Sequence, residues 1–477
     1  MQVVAPSVPS ANTAPEEVRS LYVLSVAAAA ALGGLLFGYD WVVIGGARQF
    51  YEVYFHLTSA HVIGWANSCA LLGCLVGSLG SGYGAEHFGR RKLLITAALL
   101  FAVSSVATGW ATSFSAFIFW RIAGGVAIGI SSNVAPLYIA EISPAPLRGR
   151  LVSLNQFTIV IGILLAQVVN WAIARPVPIA LSPQALYSSW NVQSAWRWMF
   201  TVLIVPSVVF LIASYFLPES PRWLVAHERE ESAAGILKRI GGARYATAEL
   251  ASIRSSISAR IASVSSLKDL ARPGVRRIVL VAMALAILQQ WSGINILFNY
   301  AAEVYRSAGY GSNDIFLNIV ITGSINLVFT ILAIVLVDSL GRRKLMLLGC
   351  AGIAASHLFC ALAYRHHYLG RSVLVLTLCA IACYALTLAP VTWVLISELF
   401  PNEVRSYGVA AAVSSLWISS FLLTYTFPIL DRSVGTGNTF FLYGLVCVAG
   451  IFLVYLFVPE TKGRSLDESS LNTTSRL

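Results

Sequence analysis

One carboxylate and one guanidinium stand deep inside apolar stretches of this chain. Asp40 lies within LLFGYDWVVIGG at residues 35–46, and Arg121 lies within a later run of similar character. A charge at the centre of a bilayer costs about 3 kcal/mol on insertion scales, so its retention calls for a use. Desolvation raises a carboxylate's proton affinity and a neighbouring arginine lowers it; a pair whose contact changes can therefore take up and release a proton. A permanently joined pair is the alternative, serving only to offset both charges. Five amides have equally apolar surroundings: Gln156, Gln289, Gln290, Asn295 and Asn326, with Trp393 three residues past Pro390. Amides both donate and accept, and an aromatic face stacks on the C–H side of a ring; the mixture suits a neutral, hydroxyl-rich solute. Each amide alone could equally make an interhelical hydrogen bond. Together with Trp393 they read as a binding site.

The elements that must position these groups are membrane helices. Of the 477 residues, 57% are apolar and 11% charged, against about 25% charged in a soluble protein. Apolar blocks recur from end to end at the ~20-residue length that spans ~30 Å of hydrocarbon as a helix. Twelve such spans are expected. Span 1 runs outward and places Asp40 ~13 Å from its outer end, while span 4 runs inward and places Arg121 ~10 Å from its own. The two charges should therefore sit at similar depth in one half of the molecule. In span 7, LQQWSGINILFNY, Asn295 shares a face with Gln289 and Gln290 only if the helix breaks, which Gly293 permits.

The net charge of +11 invites a nucleic-acid partner, but its placement argues against one. With the N-terminus in the cytoplasm, 24 of the 32 Lys and Arg fall on that side; Arg48, Arg175, Arg197, Arg306, Arg365, Arg371 and Arg432 fall outside. This is the positive-inside bias, so both termini are expected in the cytoplasm of a multi-pass protein of the inner membrane. Residues 1–20 are rich in Pro, Ala and Ser and read as a disordered tail without a secretory signal. All seven cysteines lie in spans with no accompanying His or acid, so neither a metal site nor a disulfide is expected.

A long-range repeat divides the chain. GRRK at 89–92 returns at 341–344; Glu141-Ile-Ser-Pro with Arg148 returns as Glu398-Leu-Phe-Pro with Arg405; Pro218-Glu219-Ser220 returns as Pro459-Glu460-Thr461. The expected organisation is a six-helix half over 21–217, cytoplasmic linker helices over 218–275, a second half over 276–459 and a cytoplasmic tail over 460–477. Two parallel six-span repeats make an all-α membrane protein of the major facilitator arrangement, with its substrate site near midplane between the halves. The charges at the cytoplasmic ends look mechanical. Glu86, Arg90, Arg91, Glu141, Arg148, Glu219 and Arg222 accompany the first half, and Asp338, Arg342, Arg343, Glu398 and Arg405 the second. Paired Arg and Glu at helix ends can latch one arrangement and separate in another. Topology signalling accounts for the basic members in part.

These motifs resemble the sugar porter family of the major facilitator superfamily, carried by GRR twice, PESPRWL at 218–224, QQWSGIN at 289–295 and PETKGRS at 459–465. Within it the chain is most similar to bacterial xylose–proton symporters and their glucose-facilitator relatives. The resemblance implies a proton-coupled monosaccharide symporter, acting as a monomer on a small neutral sugar and protons, with no cofactor or metal. It implies sugar ligands at Gln156, Gln289, Gln290, Asn295 and Trp393, Asn326 as their neighbour, a cavity-lining Phe37, and proton coupling at Asp40 and Arg121. Three departures alter the second-half wall: Leu416 where the xylose symporters place a glutamine, Leu388-Ala389 before Pro390, and Asn299 within an aromatic pair. Residues 175–197 form a longer external loop than facilitators carry. The competing readings are a passive sugar uniporter, with Asp40 and Arg121 a structural pair, and a transporter-like nutrient sensor, disfavoured by a tail of 18 residues after Pro459. No nucleophile with a base and no phosphate-cradling loop is legible, so an enzyme is not expected.

Overall fold

The computed structural model describes residues 19–176, 182–262, 270–400 and 404–460, and the side chains at 259–262, 312, 313 and 337–339 lie outside that description. The tails expected over 1–20 and 460–477 fall outside it but for their innermost residues. Among the described residues twelve helices are long and apolar enough to cross a membrane. They are Ser20–Tyr54, Ala60–Phe88, Arg90–Gly109, Phe114–Ile142, Arg148–Ile173 and Pro183–Phe216, then Pro273–Asn299, Asp314–Leu336, Arg342–Arg365, Arg371–Leu399, Arg405–Val434 and Thr436–Phe457. They are spans 1 to 12, and the two six-helix halves follow the sequence repeat.

Small residues let the helices approach. A Cβ at Gly38 of span 1 would strike the Ile159 carbonyl of span 5, and one at Gly162 would strike the Leu35 carbonyl. Without a hydrophobic force between helices in lipid, such close backbone packing supplies the association.

Two spans are broken. Gly293 takes φ +82° and divides span 7 into Pro273–Trp291 and Ile294–Asn299, as its composition allows. Span 10 divides at Thr387 (φ −128°, ψ −82°) into Arg371–Leu386 and Leu388–Leu399. Pro390 explains the second break, since it has no N–H for the Leu386 carbonyl and its ring crowds that oxygen.

The stretch 175–197, expected as an external loop, is largely helical where it is described. A short helix, Pro183–Tyr187, is followed by a wide turn at Asn191–Ala195 that feeds the helix Trp196–Thr201. Aromatic packing overrides its polar composition: Trp196 is fully buried and packs at tilted and edge-on angles against Tyr54, Phe55 and Phe117. Asn191 closes the turn by accepting from the Arg175 N–H at 2.9 Å and donating to the Arg175 carbonyl at 2.7 Å.

The linker forms helices at Pro221–Ala226 and Glu230–Ala262, the latter kinked at Gly241 and Gly242. It rests on the first half. The Trp223 indole donates to the Glu86 carbonyl at 2.8 Å, and the Arg19 N–H donates to the Ile240 carbonyl at 2.9 Å. Across the kink, Arg254 pairs with Glu230 and holds that carboxyl below its usual range. The start of span 1 and the linker therefore share one end of the bundle, called the linker end below.

Candidate functional site

Asp40 and Arg121 meet. Arg121 Nη1 donates to Asp40 Oδ1 at 2.6 Å, and the two residues are 3% and 4% exposed. Spans 1 and 4 bring them together, although span 1 runs on to Tyr54 and so places Asp40 further from its outer end than expected. Gly124, one turn past Arg121, leaves room beside the pair; a Cβ there would lie 3.0 Å from Asp40 Oδ2 and 3.2 Å from Ser104 Oγ. The guanidinium carbon stands 5.2 Å from the centre of the Phe200 ring. Trp41, Asn67, Cys74, Arg121 and Asn299 line one narrow cleft, so the arginine borders a residue of the opposite half.

The span 7 break does what the amide spacing needed. Asn295 Nδ2 donates across it to Gln290 Oε1, and Gln289 Nε2 donates to the Leu388 carbonyl of span 10 at 3.3 Å. All three amides are buried. Among the described residues Gln289 Oε1, Asn299 Oδ1 and the Trp417 indole N–H have no hydrogen-bond partner. Buried polar groups are usually paired, and these leave two acceptors and one donor that a solute or water can take up. Trp417 also packs on Phe37, ring centres 6.1 Å apart, across the two halves. Gln156 is half-buried on span 5 and Asn326 is buried on span 8. Trp393 is 39% exposed on the second segment of span 10. Asn299 entered the sequence reading only as a departure and Trp417 not at all; an amide inside an aromatic run was the signal available for Asn299.

At the linker end the charges repeat in both halves. Glu219 accepts from the Arg90 N–H at 2.9 Å and the Arg91 N–H at 3.3 Å, and Glu460 accepts from the Arg342 N–H at 3.0 Å. Each carboxylate thus sits on the amino end of a helix, where free N–H groups and the helix dipole favour an anion. Gly89 and Gly341 make the turns, at φ +89° and +87°. Arg90 pairs with Glu141 at 2.8 Å and Arg342 with Glu398 at 3.6 Å. Arg91 donates to the Tyr215 carbonyl, and Arg343 to the Tyr455 carbonyl. Arg148 reaches the Ser143 carbonyl at 3.5 Å and Arg405 the Phe400 carbonyl at 3.1 Å. Of the other expected members, Arg222 donates to Ser256 within the linker, Glu86 stands exposed at the end of span 2, and the Asp338 side chain lies outside the described residues. Glu460 was missing from the expected set, although the repeat of Glu219 pointed to it.

The opposite end holds a cluster that the sequence reading did not single out. Arg48 pairs with Glu52 one turn on and with Glu303 of the second half at 2.5 Å, and lies 4.4 Å over the Tyr300 ring. Arg306 donates to Gln49 Oε1 at 2.5 Å, Arg432 to the Thr58 carbonyl at 2.6 Å, and His61 meets Tyr425 at 3.2 Å. Every one of these contacts joins the two halves, apart from Arg48–Glu52. The i,i+4 spacing of Arg48 and Glu52 was legible; Glu303 is 255 positions from Arg48 and was not.

With this geometry in hand, three comparisons with known proteins bear on it. Residues 26–471 match the family model described as "Sugar (and other) transporter". The chain is 35% identical to the D-xylose-proton symporter of Escherichia coli (strain K12), covering 95% of this chain and 96% of that one. It is 36% identical to the glucose transport protein of Synechocystis sp. (strain ATCC 27184 / PCC 6803 / Kazusa), covering 96% and 99%. Among solved structures, the inward-open conformation of the xylose transporter XylE from E. coli superposes with a TM-score of 0.82 at 35% identity, over 94% of this chain and 100% of that one.

Proposed function

The chain belongs to the sugar transporter family, and on that premise we propose that it is a proton-coupled monosaccharide symporter working by alternating access. The observation that carries the proposal is the contact between Asp40 and Arg121, at 2.6 Å and nearly out of reach of solvent. A carboxylate so placed gains or loses its proton when the arginine moves relative to it. The pair borders the inter-half cleft, so a rocking of the halves and a change in that contact belong to one motion.

The sugar is read by Gln289, Gln290 and Asn295 at the span 7 break, with Gln156, Asn326, Trp393, Phe37 and Trp417 around it. The unpaired Gln289 Oε1 and Trp417 Nε1 support this, since each accepts or donates what a sugar hydroxyl can supply. Pentoses and hexoses both fit such chemistry, and the names of the two relatives include one of each.

The excess of Lys and Arg at the linker end supports a cytoplasmic location for that end. The Arg48–Glu303 and Arg306–Gln49 contacts then close the external side, and the conformation is inward-facing. In the outward-facing state the Arg and Glu sets of the two halves meet across the cytoplasmic end and latch it.

The passive uniporter remains the second reading, because a close, buried ion pair is also what a static structural contact looks like. Sugar-driven proton uptake into energy-free vesicles separates the two. Asp40→Asn is expected to abolish accumulation while sparing sugar exchange. A mutant that still concentrates sugar would move the coupling to another group, and a wild type that takes up no protons with sugar would leave the uniporter.

A further inference from the structure

The break in span 7 strands one backbone group, and a histidine from another span takes it up. In an unbroken helix the Ser292 carbonyl would accept from the Ile296 N–H. That N–H goes instead to the Gly293 carbonyl at 3.1 Å. Ser292 is fully buried, where an unpaired carbonyl is strongly disfavoured. His357 of span 9, itself 1% exposed, brings Nε2 to 2.8 Å from Ser292 O. A carbonyl can only accept, so Nε2 carries the proton and donates. Span 12 completes the seat. The Cys447 thiol lies 3.8 Å from the same oxygen, and the Tyr443 ring stands so close to Gly293 that a Cβ there would lie 2.7 Å from it. Phe440 packs on the imidazole with ring centres 5.4 Å apart. Gln289 and Gln290 end the helix on one side of this seat, and Asn295 begins the next on the other.

We propose that His357 is a positioning residue for the transport site: its donated hydrogen bond holds the Gly293 break in the geometry that returns Asn295 to Gln290 and leaves Gln289 Oε1 free. The role in transport rests on reading those amides as the sugar's ligands, so one of the two measurements below needs no sugar. A histidine that merely filled space would be replaced by methionine without consequence. One that donates would not.

In purified full-length protein, amide hydrogen exchange across residues 291–299 is measured for the wild type, His357→Met, His357→Leu and His357→Gln, alongside binding of D-xylose and D-glucose. Both apolar variants are expected to exchange about tenfold faster in that segment, with the other spans unchanged. They are also expected to bind sugar about tenfold more weakly. The Gln variant keeps a side-chain N–H and is expected to recover both. Apolar variants that match the wild type across 291–299, or a Gln variant as fast as the Met one, overturn the assignment. Should the wild type bind neither sugar, the reading of the amides as ligands for these sugars fails, while the exchange data still judge the clamp. Nitrogen-15 spectra of the unaltered protein need no variant at all: a His357 proton on Nε2 supports the donor role, and one on Nδ1 alone overturns it.

Discussion

At the scale of single residues, what matters is which polar atoms are left over after the helices have packed. Gln289 spends its amide N–H on the Leu388 carbonyl and keeps Oε1 unpaired, whereas Gln290 spends Oε1 on Asn295. The two adjacent glutamines are therefore not equivalent. Gln289→Ala removes a free acceptor and is expected to weaken binding by ~1–2 kcal/mol, roughly tenfold in Kd for a cognate monosaccharide. Gln290→Ala also strands the Asn295 N–H and is expected to reduce thermal stability as well. Calorimetric titration and melting of the two variants check both statements; equal effects on both properties would sink the distinction. His357 makes the same point from the far side of the break, where its buried imidazole meets the carbonyl that the break set free.

At the scale of elements, the two halves repeat one device at the linker end: a glycine turn, a helix amino end and a carboxylate arriving from the end of the sixth span of each half. The geometry is alike in the two copies, with Glu219 on Arg90 and Arg91 and Glu460 on Arg342. Glu219→Gln and Glu460→Gln each remove a charge from a helix amino end and are expected to lower stability by ~1 kcal/mol apiece. Thermal unfolding of the two variants in the same detergent should show shifts of similar size. A shift at one site alone would mean that the repeat of sequence is not a repeat of energetics. The broken spans show a different lesson. Gly293 announced its break by composition, while the break at Thr387 follows from Pro390 three residues later, which the sequence reading treated only as a marker for Trp393.

At the scale of the whole molecule, the contacts between halves gather at the end away from the linker. Arg48 is the centre of that seal, joined to Glu52, Glu303 and the Tyr300 face. A partly buried pair of this kind contributes more than an exposed one, and its loss by Arg48→Gln is expected to move the balance towards the outward-open state about tenfold. Spin labels placed across that end, read by pulsed distance measurement, would show a longer-distance population growing at the expense of the short one. An unchanged distribution would relieve Arg48 of any role in the seal.

Several features needed only the order of residues. Span length and apolar content are properties of contiguous stretches, so twelve helices and their alternation follow from counting. The repeat of GRRK, of Glu141 and Glu398, and of Glu219 and Glu460 predicts two like halves because similar segments fold by similar local rules. What the tertiary structure decided lies between segments distant in the chain: Arg48 with Glu303, His357 with the Ser292 carbonyl, Trp417 with Phe37, and the buried course of 190–197 beneath the aromatic rings of span 1. Hydrogen bonds and ring contacts are chosen by where whole helices come to rest, over a few tenths of an ångström, and no spacing along the chain carries that information. The closure of one end rather than the other is further still from the sequence, because it is a balance of small contacts summed over two moving bodies.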